Sequence, residues 1–256
     1  MSNKRIALIA QVIVLLGIVL VSIYSIKSDA SEIQKGEDYW LTKLNEIRGP
    51  AESFKTSIHL ASYEGDKLLQ ESDLDIFFNG NNNVLITFRS PALDVGRKIL
   101  VEGNNMWLST PTSRRILRIH PSQRLLGASS NVDAVNYDFS NYQLLDETSV
   151  NNAQTAGKTM TKVVIKAIDH KQPYQQIEFY VEPSTQYPNI SFHYAASGKL
   201  LKTIYYERYK DGLVAQIRTV DPVNTDQSTL MVYSNYEPET FPPAIFKKNN
   251  LLELSL

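Results

Sequence analysis

The spacing of apolar residues changes twice along the chain, and each change marks a different kind of element. Ile6 to Ile26 is an apolar run broken mainly by Gln11, Ser22 and Ser25, with Lys4 and Arg5 before it and the polar KSDASE after it. Such a run is an export segment. Its length falls between the core of a cleaved signal peptide and the roughly 20 residues of a spanning helix. Two outcomes are open: cleavage after Ala30, where Ser28 and Ala30 form a small-x-small pair, or retention as a membrane anchor with Lys4 and Arg5 on the cytoplasmic side. Residues 1–30 are therefore read as a signal peptide or signal anchor containing one hydrophobic helix, and 31–256 as a single domain.

In GEDYWLTKLNEIRGP the period is that of a helix. Tyr39, Leu41, Leu44 and Ile47 fall on one face, Glu37 and Asp38 suit the positive N-terminal end, and Gly49-Pro50 stops the helix. That apolar face needs something to lie on. From Ser53 the period drops to two: in FKTSIHLASY, Phe54, Thr56, Ile58 and Leu60 alternate with Lys55, Ser57 and His59. Further strand segments follow as KLLQESDLDIFF, NVLITFRS, GRKILVEG, NMWLST and RRILRIH, and beyond a middle segment as KTMTKVVIKAID, YQQIEFYVE, NISFHYAA, KLLKTIYYERY, LVAQIRTV and TLMVYSNYE. About a dozen strands joined by short polar turns, without crossover helices, predict an antiparallel sheet. So long a meander has to close, split or curl over a covered face. The predicted architecture is a mainly β, curved antiparallel half-barrel with a helical lid, the lid being the 39–47 helix and the SQRLLGASSNVDAV segment.

Composition narrows the function. The 256 residues are 43% hydrophobic, enough for a sizeable core. Net charge is −1, and without residues 1–30 the remainder holds 23 basic and 26 acidic groups, which excludes a general nucleic-acid binder. With no cysteine there is no disulfide, thiolate metal site, cysteine nucleophile or lipid-modified N-terminal cysteine.

One stretch combines charge and apolarity in an unusual way. GNNMWLSTPTSRRILRIHPSQRLLGASSNVD carries Arg114, Arg115, Arg118 and Arg124 and then the apolar Leu125 and Leu126 before Gly127. The arginines are either a rim that meets anionic headgroups or an acidic partner, or solvated charges that discourage edge pairing. Leu125 and Leu126 either touch cargo or plug the half-barrel. Met106 and Trp107 are adjacent on a strand, so one faces the concave side and its neighbour the other; both are otherwise ordinary core residues. Tyr205, Tyr206 and Tyr209 carry the same ambiguity.

The segment 103–142, with Met106-Trp107, Pro111, Arg114-Arg115, Ser122-Gln123 and Asn131/Asp133 in order, resembles the signature of the outer-membrane lipoprotein-sorting-protein-like family, within the LolA/LolB-like carrier superfamily. The resemblance extends over SIHLASYEGDKLLQESDLDIFF, FRSPALDVGRKILVEG, YPNISFHYAASGKLLKTIYYERY and MVYSNYEPETFPPAIFKKNNL, from about Tyr39 to Leu252. It implies an incompletely closed sheet around a hydrophobic cavity with a helical lid, holding acyl chains of lipid or lipoprotein in the periplasm. Arg89, in ITFRSP, resembles the arginine before proline that lines the cavity mouth of such carriers, although Ser90 stands between the two here. Members are also associated with resistance-nodulation-division type exporters, so the resemblance leaves a second role open: a non-carrying accessory subunit of an inner-membrane transporter.

Nothing in the sequence supplies a catalytic or cofactor motif. His59, His120, His170 and His193 are isolated, there is no metal-ligand spacing, and no nucleophile elbow, phosphate loop or dinucleotide fingerprint is present. A non-enzymatic protein with no cofactor and no metal is expected.

Overall fold

The computed structural model describes residues 35–80, 83–102, 105–113, 115–134, 138–234 and 236–254. Residues 1–30, expected to be a cleaved signal peptide or a retained anchor, lie outside the described residues. Among those residues no helix is long and apolar enough to cross a membrane.

The described residues open with helix α1 (Glu37–Glu46) and then form a first antiparallel meander of β1 (Phe54–Glu64), β2 (Lys67–Phe78), β3 (Val84–Phe88), β4 (Lys98–Glu102), β5 (Asn105–Ser109) and β6 (Ile116–Ile119). A short hairpin, β7 (Arg124–Leu126) and β8 (Ser129–Ser130), leaves the sheet, followed by 3-10 turns at Asn131–Ala134 and Phe139–Asn141. A second meander runs through β9 (Tyr142–Val150), β10 (Met160–Ala167), β11 (Gln176–Glu182), β12 (Tyr187–Tyr194), β13 (Leu200–Lys210), β14 (Leu213–Val220) and β15 (Gln227–Tyr233). The meanders join where β15 pairs with β1, with Ile58 opposite Tyr233 and Leu60 opposite Met231. Together with the short β16 (Glu237–Pro238), also paired to β1, they make one 14-stranded sheet, open at β6 and β9.

A short helix bridges the curved sheet. A ten-residue helix is about 15 Å long, less than the roughly 24 Å that six flat strands would span. Yet α1 is tied at both ends. The Glu147 carboxylate on β9 accepts from the backbone N–H groups of Lys35 and Gly36 at 3.0 and 3.1 Å, a favourable place for negative charge. At the other end the Ile47 carbonyl accepts from Val214 N–H on β14 at 2.7 Å. Trp40, Leu44 and Ile47, all 1% exposed, are thereby pressed into the core on the concave face with Ile58, Leu74 and Ile217.

The convex face explains the weak alternation of several strands. Phe77, Leu85 and Leu100 are buried beneath Ile245, Phe246 and Leu251 of the C-terminal segment. Met160, Tyr180 and Ile190 form a smaller outer cluster.

The cover is formed by the two segments expected from the sequence, but only the first of them is α-helical. It consists of one helix, a two-stranded hairpin and 3-10 turns. The hairpin forms because Gly127, at φ +52°, turns the chain between Leu126 and Ser129.

Candidate functional site: the covered concave face

The 124–134 flap is seated on hydroxyl groups of the sheet. Thr229 Oγ1 accepts from Ala128 N–H at 2.8 Å and donates to the Leu126 carbonyl at 3.2 Å, so one side chain satisfies both backbone groups beside the turn. Gly127 lies against Ser62 and Thr229, and any Cβ there would overlap both hydroxyl oxygens. Leu125 and Leu126 are only 8% and 6% exposed and join the main core.

The far end of the flap is held by a buried ion pair. Asp133 (0% exposed) meets Lys202 of β13 (6% exposed). Ser130 N–H and Oγ donate to Asp133 Oδ2 at 2.8 and 3.0 Å, Tyr174 Oη donates to Asp133 Oδ1 at 2.9 Å, and Lys202 Nζ donates to Ser130 Oγ at 2.7 Å. Burial pushes the Asp133 carboxyl up, but the Lys202 ammonium and the donors around it outweigh this and hold it below the usual carboxylate range. The carboxylate stays charged, and the latch is electrostatic.

His193 on β12 lies next to this latch, its ring 4.7 Å from that of Tyr174 and its Nε2 2.9 Å from Ser191 Oγ. Among the described residues Nδ1 is buried without a hydrogen-bond partner, so none of their acids orients the ring as the third member of a nucleophilic triad would. Burial, with the Lys202 charge and against the opposing pull of Asp133, lowers its pKa to about 3 from an ordinary 6.5. A neutral folded histidine contributes stability that is fully present above pH 6.5 and is lost as pH falls toward 3. At 1.36 kcal/mol per unit, about 2 kcal/mol should be gone by pH 5. Urea unfolding of the wild type and His193→Asn at pH 7 and pH 5 checks this. The variant should lose much less between the two, and equal losses would contradict the assignment.

The concave face is largely filled by the protein's own side chains. Among the described residues there is a cavity of about 290 Å³ beneath the flap, lined by Leu60, Ser72, Phe88, Arg97, Leu125 and Leu126 among others, and a cleft of about 10 Å³ beside Phe54 and Tyr236. The roomy hollow implied by the resemblance is occupied here by α1 and the flap, because an uncovered apolar surface of this extent is costly in water. Among the described residues no cluster of His, Asp or Glu could hold a metal ion.

A family model described as "-like: Uncharacterized protein" matches residues 80–253. The chain belongs to that family. Its structure is similar to a LolA superfamily protein from Nitrosomonas europaea, with a TM-score of 0.74, 26% identity and coverage of 84% of this chain and 99% of that one. A DUF1329 family protein from Desulfovibrio piger gives a TM-score of 0.65 at 20% identity, covering 83% and 96%. A putative outer membrane lipoprotein-sorting protein domain from Vibrio parahaemolyticus gives 0.65 at 16% identity, covering 85% and 98%. The fold is LolA-like. No curated protein matches the sequence.

Within this LolA-like frame the residues singled out from the sequence separate. Met106 points into the main core, whereas Trp107 lies on the convex side beneath the C-terminal segment, with Lys248 Nζ 4.0 Å from its ring centroid. Trp107 therefore does not face the cavity. Arg89 does not line it either. Phe88 points inward, so its neighbour points outward, where Arg89 Nε pairs with Asp75 Oδ1 at 3.0 Å. Leu125 and Leu126 both line the cavity.

The arginine ribbon does not form one rim. Arg118 is exposed opposite Trp107 in the strand register, on the convex side. Arg115 is exposed just ahead of β6, and Arg114 lies outside the described residues. Arg124 alone of the described three borders the cavity, 3.9 Å from Asp221. The tyrosines divide too: Tyr205 is exposed, while Tyr206 and Tyr209 pack against the core and stack, with Tyr187 against Tyr209 at 4.5 Å.

Sequence reasoning missed Arg97, Lys202 and the role of Asp133. Arg97 reaches the cavity from the turn before β4, its guanidinium 4.6 Å from the Phe88 ring centroid. The single clue was Asp133 within the 103–142 signature.

Proposed function

We propose that the protein is a periplasmic carrier that shields acyl chains of lipid or lipoprotein on its concave face, in lipoprotein sorting or lipid trafficking, with no catalytic step. The observation that carries this reading is that the apolar face is covered by pieces outside the main ladder: α1 and the 124–134 flap can shift without breaking the pairing of the 14-stranded sheet. Exchange of cover for cargo is energetically balanced. Leu125 and Leu126 hold about 3–6 kcal/mol of burial between them, and an acyl chain recovers about 0.8 kcal/mol per methylene. Residues 6–26 would bring the chain to the periplasm, either freed by cleavage after Ala30 or tethered.

Protein purified from the cell envelope and extracted for mass spectrometry should release lipid in near-stoichiometric amounts. The filled interior favours one other reading, a non-carrying accessory subunit of a resistance-nodulation-division type transporter. An empty extract, together with recovery of a transporter's periplasmic domain on the purified protein, would replace the carrier with that subunit.

A further inference from the structure

The cavity under the flap has a composition that a purely apolar carrier does not need. Leu60, Phe88, Leu125 and Leu126 give it an apolar floor, and its lining also includes Arg97, from the turn before β4, and Arg124, from the flap. Arg97 stacks its guanidinium on Phe88 and holds Asp94 Oδ1 at 3.5 Å, while its Nε is buried without a hydrogen-bond partner. Arg124 reaches Asp221 only at 3.9 Å and remains 64% exposed. Asp94 also lines the cavity, so its charged lining is two guanidiniums against one carboxylate.

Resting on the carrier reading above, we infer that this cavity is a subsite for a single-chain anionic amphiphile, with the chain on the Leu60–Phe88–Leu126 floor and a carboxylate or phosphate headgroup between Arg97 and Arg124. The floor supplies affinity through burial, and the arginines supply selectivity through charge-assisted donation to oxyanions. Size sets the number of chains. At about 30 Å³ for each water-sized group, the cavity's roughly 290 Å³ holds on the order of ten such groups. That is one medium-length chain rather than the several chains of a lipoprotein anchor. Because Arg124 and Leu125 are adjacent on the flap, headgroup capture and chain contact act on the same moving piece.

The test is calorimetric titration of the full-length protein, below the critical micelle concentration, with four twelve-carbon probes: dodecanoate, dodecyl phosphate, dodecyl maltoside and dodecyltrimethylammonium. The anionic probes should bind at least tenfold tighter than the cationic one, and whichever anion is tighter identifies the headgroup. Arg97→Gln and Arg124→Gln should each weaken the anions about tenfold and leave the maltoside unchanged, which also reports that the variant is folded. Arg97→Lys should retain part of the affinity, and Arg118→Gln, on the other face, should retain all of it. Equal binding of all four probes overturns the inference and leaves the carrier intact. So does an envelope extract rich in multi-chain lipid with no probe bound. An empty extract with no probe bound removes both.

Discussion

Replacing Gly127 with alanine should lift the flap off the sheet. At φ +52° an L-residue costs about 1–2 kcal/mol relative to glycine. That alone is modest. The larger effect is steric, since the added methyl would overlap Ser62 Oγ and Thr229 Oγ1 and would sit 2.9 Å from Ser62 Cβ. Those atoms belong to paired strands β1 and β15 and cannot retreat cheaply, so the flap has to move. Amide exchange across residues 124–134 should accelerate at least tenfold, equivalent to about 1.4 kcal/mol of local opening, while the strands keep their protection. Binding of a fluorescent fatty-acid analogue should weaken, because Arg124 and Leu126 leave the cavity with the flap. Gly157→Ala is the matched control: its φ is +78°, but nothing lies within 4 Å of an added Cβ. Equal behaviour of the two variants would mean that the flap is not seated as described.

Lys202→Met is expected to be the most destabilising single change at the latch. It leaves the Asp133 carboxylate buried without its counter-ion, and removing one partner of a buried pair costs about 3–5 kcal/mol. For a domain of this size each kcal/mol lowers Tm by about 2–4 °C. Adding Asp133→Asn to the Lys202→Met background should recover much of the loss, because the amide needs no counter-ion, its oxygen can still accept from Ser130, and its NH2 can donate to Tyr174 Oη. A single-variant cost below about 1 kcal/mol, or no recovery in the double variant, would show that the flap is held by packing alone. Exchange at residues 124–134 should again respond before the ladder does.

The repeating parts of the fold were legible and the covered face was not. β1 and β2 coincide with the alternating segments FKTSIHLASY and KLLQESDLDIFF because each has one buried and one wet side over much of its length. α1 was visible through its 3–4 spacing and its acidic first turn. β9, YQLLDETSV, escaped notice because it is an edge strand with Tyr142 alone buried, which leaves no hydrophobic period to read. The β7–β8 hairpin escaped for another reason: strands of three and two residues are too short to show any period. The latch could not be read at all. Lys202 stands in KLLKTIYYERY like a solvated strand lysine, and its partner is 69 residues away. Only the pairing of β13 beneath the flap brings the two together. Arg89 was misplaced for a related reason. Its sequence context resembled a cavity mouth, but strand parity beside the inward Phe88 turns it toward Asp75.

The β1–β15 seam has a kinetic consequence. Every other neighbouring pair in the two meanders is a local hairpin, whereas Ile58 meets Tyr233 from almost the opposite end of the domain. Loop-closure entropy delays such non-local contacts, so the halves should each zip early and the junction should form last. Until it does, β1 and β15 are raw edges carrying Ile58, Leu60 and Met231, and aggregation of newly made chains should start at those two strands.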